Sequence, residues 1–108
     1  MKNSILLIAI SLLALFSTTT YAAGDAAAGK AAFAICASCH GQNGEGMEVM
    51  KAPKLAGQQA WYTLSSLKRF KDGTRGATDP AAITMLPMAK MLSDKQMEDV
   101  SAYIETLK

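Results

Sequence analysis

The chain has 108 residues, half of them hydrophobic, with 11 Lys+Arg against 9 Asp+Glu. That length is one small domain, and the near-neutral balance offers no basic patch of the kind that binds nucleic acid. With 2 Cys and 1 His, it falls short of the four ligands a structural zinc site takes.

Residues 1–22 read as a secretory signal peptide. Lys2 gives the positive start, "SILLIAISLLALF" is a nearly unbroken apolar run, and "STTTYA" brings the polar and small residues of a cleavage site. The run from residue 4 to residue 16 is 13 residues, whereas a spanning helix needs about 20. Cleavage after Ala22 is therefore expected, leaving a domain of residues 23–108 with no membrane span. That domain is rich in Ala, Gly and Met and poor in Ile, Val and Phe. Chains this short are marginal without a disulfide, metal or cofactor. A large apolar cofactor would supply the missing core.

The elements are helical. "GDAAAGKAAFAIC" predicts a helix over residues 25–37, with Asp25 as N-cap. Gly41, Gly44 and Gly46 break it, and Pro53 punctuates a loop that runs to residue 57. A second helix is expected over residues 58–71, with Trp61, Leu64, Leu67 and Phe70 on one apolar face. Asp79 and Pro80 suggest an N-cap and first helical position for a short helix over residues 80–86, interrupted by Pro87. Ser93 and Gln96 make a capping box for the last helix. Met97, Val100, Ile104 and Leu107 form its apolar stripe, which marks Met97 as core. No stretch alternates as a strand.

Both cysteines and the histidine sit together, as Cys36-Ala37-Ser38-Cys39-His40. This is the pattern for covalent attachment of a c-type haem. Two residues between the thiols let both sulfurs reach the two vinyl groups on one edge of the porphyrin, and the adjacent imidazole then binds iron from the proximal side. A redox-active pair would follow a strand and open a helix, and no strand precedes Cys36. A plain disulfide leaves His40 without a role and the core unfilled.

For the sixth iron ligand, Met47 lies too close to His40 to round the ring edge. "TMLPMAKMLSD" is the segment best placed for it, and it contains Met85 and Met88.

With these motifs, "GDAAAGKAAFAICASCHGQNGEG", "APKLAGQ", "LSSLKRFKDGTR" and "LSDKQMEDVSAYIETLK" together resemble a class I c-type cytochrome. The likeness is to small bacterial periplasmic monohaem forms, whose fold also forms each half of the dihaem ones. The resemblance implies an all-α cytochrome c fold, about four helices wrapped around one covalently bound haem c, with the first and last helices crossing. It implies haem links at Cys36 and Cys39, axial ligands His40 and Met85, and a Pro53 carbonyl bonded to the His40 Nδ1 proton. Met85 lies seven residues before Leu92 of "LSD", where the family carries its ligand methionine. Pro53 also places Met50 on the proximal side. One departure stands out: Gly29 and Phe33 lie one residue nearer the first cysteine than in many class I members, so the register of their crossing against Tyr103 is open.

The function implied is a periplasmic carrier of single electrons and not an enzyme, because His and Met ligands leave no open position on the iron. The donor would be a quinol-cytochrome c reductase or a periplasmic dehydrogenase, the acceptor a terminal oxidase or reductase. The rival is an enzyme subunit or gas sensor with an open position.

Overall fold

The computed structural model describes residues 24–108. The expected signal peptide, and the expected new N-terminus at Ala23, lie outside the described residues. Five α-helices are present among them: α1 (Ala26–Ala32), α2 (Ala34–His40), α3 (Ala60–Asp72), α4 (Met85–Lys90) and α5 (Asp94–Thr106). A 3-10 turn spans Glu48–Met50, and Met47 and Ala52 form an isolated β-bridge. The architecture is all-α, as expected.

Asp25 caps α1 by accepting from the backbone N–H groups of Ala27 and Ala28 at 2.9 and 3.3 Å. The single helix expected over residues 25–37 is instead two. It is interrupted at Phe33, whose carbonyl accepts from both Cys36 and Ala37, at 2.9 and 3.0 Å. α2 then runs past residue 37 to His40 and stops at Gly41, where φ is +89°. The break puts the helix crossing on α1 and the cysteine motif on α2, so each takes its own direction.

α1 packs across α5. A Cβ on Gly29 would lie 1.9 Å from the Asp99 carbonyl oxygen and 2.8 Å from the Tyr103 Cβ, so only glycine lets the two backbones meet. One turn on, the Phe33 and Tyr103 rings pack with centroids 5.3 Å apart, tilted by 60°. The crossing is therefore made by these three residues, despite the shift toward the cysteines.

α3 differs from expectation in the face it buries. It turns Thr63, Ser66, Leu67 and Phe70 inward, while Trp61 is 68% exposed. The apolar spacing pointed to Trp61, but the inner face borders a cavity, where small polar side chains make room. Pro87 does not interrupt a helix either. Residues 80–84 form turns, begun by the Asp79 carboxylate accepting from Ala81 N–H at 2.9 Å. α4 starts at Met85, so Pro87 falls in its first turn, where the missing N–H has no intrahelical partner to lose.

The capping box of α5 is complete: Ser93 Oγ accepts from Gln96 N–H at 3.1 Å, and the Gln96 side chain accepts from Ser93 N–H at 2.9 Å. Met97, Val100 and Ile104 are buried on its inner stripe. Lys71 Nζ donates to the Leu92 carbonyl at 2.8 Å and pairs with Asp94 at 3.3 Å, fastening the end of α3 to the start of α5.

Candidate functional site

A cavity of about 580 Å³ opens between α2, α3, α4 and α5. Leu55, Leu67, Phe70, Leu92, Val100 and Ile104 give it apolar walls. Cys36, Cys39 and His40 all lie on that wall. α2 brings them together because residues three and four apart share one helix face.

Both cysteines are half-buried. Burial pushes the Cys36 thiol up to about 11, against a backbone hydrogen bond that lowers it and a smaller upward push from Cys39. A redox-active pair needs the opposite, a thiol lowered toward neutrality. Cys36 is built for an apolar setting.

His40 is buried, and its Nδ1 lies 2.7 Å from the Pro53 carbonyl oxygen. A carbonyl only accepts, so Nδ1 is the donor, which in the neutral ring leaves Nε2 as the nitrogen with the lone pair. Gly46 makes the approach possible. Its N–H donates to the His40 carbonyl at 2.7 Å, its φ is +86°, and a Cβ there would lie 2.7 Å from the Lys54 nitrogen. The segment carrying Pro53 lies against a backbone that no side chain holds away.

Three methionines line the cavity: Met50, Met85 and Met88. Met97 is fully buried in the core and Met91 is 66% exposed, while Met47 is engaged in the bridge to Ala52. Met85 opens α4, and Met88 follows one turn later. Met50 sits in the 3-10 turn three residues before Pro53. Among the described residues, no group of three or more His, Cys, Asp or Glu side chains is placed to hold a bare metal ion.

Paired thiols one turn apart, an imidazole locked by its outer nitrogen, and a wide apolar cavity beside them fit a covalently held haem. A profile of the family described as "Cytochrome c" matches residues 26–108. The chain belongs to the cytochrome c family. It binds one haem c covalently through the Cys36–Cys39–His40 motif.

Among its relatives, cytochrome c-554(548) of Halomonas halodenitrificans is 44% identical over 81 residues, which cover 75% of this chain and 94% of that protein. Cytochrome c4 of Pseudomonas aeruginosa is 40% identical over 88 residues, covering 82% of this chain and 41% of that one. The solved structure of reduced recombinant cytochrome c4 from Pseudomonas stutzeri superposes with a TM-score of 0.68 at 35% identity, covering 77% of this chain and 48% of that one. The chain thus matches c-554(548) over nearly its whole length and spans less than half of the c4 chains. It is a single c-type cytochrome domain related to both. No helix among the described residues is long and apolar enough to cross a membrane.

Sequence reading named the cysteines and the histidine from their motif, and Pro53 from the family resemblance. It missed Thr63, Ser66 and Arg75 on the cavity wall. The one signal was a polar pair at helical spacing, Thr63 and Ser66, on a helix that otherwise reads by its aromatic residues.

Proposed function

We propose that this protein is a periplasmic monohaem cytochrome that carries single electrons and is not an enzyme. The haem supplies a one-electron couple when bound. His40 Nε2 and Met85 Sδ would hold the iron, and Pro53 would orient the imidazole and raise its basicity through Nδ1. Cys36 and Cys39 would hold the porphyrin edge. Leu67, Phe70, Val100 and Ile104 would keep water from the group, and a thioether ligand in apolar surroundings would raise its reduction potential. With both ligands in place, no position would be left for a substrate.

The observation that carries this reading is the meeting of His40, with its Nδ1 bonded at 2.7 Å to Pro53, and Met85 on the wall of one cavity. The match to c-554(548) over nearly all of that protein supports a domain working with a single haem. Residues 1–22 act as an export signal in this reading, with residues 23–108 as the mature form. Donors of the class of a quinol-cytochrome c reductase or a periplasmic dehydrogenase, and acceptors of the class of a terminal oxidase or reductase, suit an exported one-electron carrier.

Reduced-minus-oxidised spectra under carbon monoxide, with the intact mass of the periplasmic protein, test all of this together. The expected result is one haem adduct on a chain starting at Ala23 and a ferrous spectrum unchanged by carbon monoxide. Ready carbon monoxide binding would instead favour the open-site enzyme or sensor.

A further inference from the structure

We infer that the outer flank of α3 is a docking surface for a second copy of this chain, and that two copies meet there as a weak two-fold dimer. α3 buries Thr63, Ser66, Leu67 and Phe70 on one flank. On the opposite flank Trp61, Leu64, Ser65, Lys68 and Arg69 line a shallow groove of about 370 Å³, because residues three and four apart share a helix face.

The Trp61 side of that groove is exposed and yet held in place. The indole Nε1 donates to Gln59 Oε1 at 2.6 Å. The Tyr62 ring meets the indole edge-on, with centroids 5.8 Å apart and planes at 84°. Gln59 is the N-cap of α3, but its side chain caps no backbone N–H; it holds the indole instead. An exposed tryptophan with a fixed orientation and a satisfied N–H loses little entropy and strands no donor when a partner covers it.

The far end of the groove points to the partner. Lys68 and Arg69 lie two turns on, both exposed. Among the described residues the ion pairs are Lys71–Asp94 and Lys95–Asp99, so neither cation is in one. Asp72, whose carboxyl feels the charge of Arg69, already accepts from the Thr74 N–H and hydroxyl at 2.8 and 2.6 Å. The stripe therefore carries an aromatic face at one end and unpaired cations at the other, seven residues or about 10.5 Å along the axis.

Such a stripe is complementary to itself. With a two-fold axis between Leu64 and Ser65, the two α3 helices run antiparallel. Trp61 of each copy then comes over Lys68 of the other, and Leu64 of each over Ser65 of the other. The indole face attracts the ammonium, and the small Ser65 lets the helix axes approach. The two Lys68 charges end about 10.5 Å apart, beyond the screening length of about 8 Å at physiological salt. An acidic surface would match the cations and leave the fixed ring without a use; a second copy matches both. One helix face is smaller than the roughly 800 Å² per partner of a standard interface, so the dimer forms only at high concentration.

The test is sedimentation equilibrium of the holoprotein up to about 1 mM, in wild type, Trp61→Ala, Lys68→Glu and an equimolar mixture of the two variants. Both side chains are exposed, so the haem spectrum and helix content should match wild type throughout. Wild type should dimerise, and each variant alone should weaken the dimer by about tenfold or more. The mixture should associate more tightly than either variant alone, because a mixed pair keeps one of the two Trp61–Lys68 contacts. Wild type that stays monomeric, a dimer unchanged in either variant, or a mixture no tighter than its components would each overturn the proposal. Monomeric wild type that binds phosphatidylglycerol vesicles, with binding lost in Lys68→Glu, would also overturn it and give this flank to an anionic membrane surface.

Discussion

The backbone N–H of Asp25 donates to the carboxylate of Asp99 at 2.7 Å, tying the start of α1 to the middle of α5. Lys95 pairs with the same carboxylate one turn earlier on α5. The Lys95 hydrogen bond, then the Asp25 N–H, hold the Asp99 carboxyl below the usual carboxylate range, against its desolvation. The unfolded chain therefore takes up this proton more readily than the folded one. The stabilisation is complete above the ordinary value of about 3.9 and fades as pH falls through the lower folded value. Asp99→Asn should melt a few degrees lower near neutral pH and lose less stability on acidification below about pH 4 than wild type. Thermal melts of the holoprotein across that range check both.

Gly29 is the closest contact of the α1–α5 crossing. Its missing Cβ would meet backbone at 1.9 Å, which a rotamer change cannot relieve. Gly29→Ala should cost about 1–3 kcal/mol, the usual range for overpacking, read from denaturant unfolding of the holoprotein. The haem spectrum should stay as in wild type, since Gly29 is on α1 and the attachment motif on α2.

These two contacts show what sequence can and cannot carry. Gly29, Phe33 and Tyr103 were visible as a spaced set, and the crossing they make is present. Asp99 was hidden, because an acidic residue between Met97 and Val100 reads as solvated helix surface, and its partner is 74 residues away. The caps at Asp25 and Ser93 were legible because the acceptor and the N–H groups it serves lie within three residues. The inner face of α3 was not, because hydrophobic spacing tracks walls packed against side chains. Thr63 and Ser66 border a space meant for a cofactor. Trp61 fits the apolar spacing and still faces outward.

Gly46 should prove as sensitive as the attachment motif's own neighbours. Gly46→Ala puts a Cβ at positive φ and 2.7 Å from the Lys54 nitrogen, so residues 53–54 must move away from His40. The cost should exceed about 1 kcal/mol, and the reduction potential should shift as the Pro53 carbonyl loosens from Nδ1. Pro53→Ala keeps that carbonyl, so its potential should stay near wild type, with stability lowered by up to about 1 kcal/mol. Potentiometry of the two variants side by side separates the loop's stiffness from its hydrogen bond.

The most direct measurement of the central claim is the sulfur-to-iron charge-transfer band of the oxidised holoprotein in Met85→Ala and Met88→Ala. Met85 as the sixth ligand predicts that Met85→Ala keeps covalent haem, loses the band, drops sharply in potential and begins to bind carbon monoxide. Met88→Ala should keep the band and change stability only slightly, since Met88 is half-buried and would then be a packing residue. A band lost in Met88→Ala and kept in Met85→Ala would contradict the assignment and move the ligand one turn along α4. A band kept in both would move it to Met50.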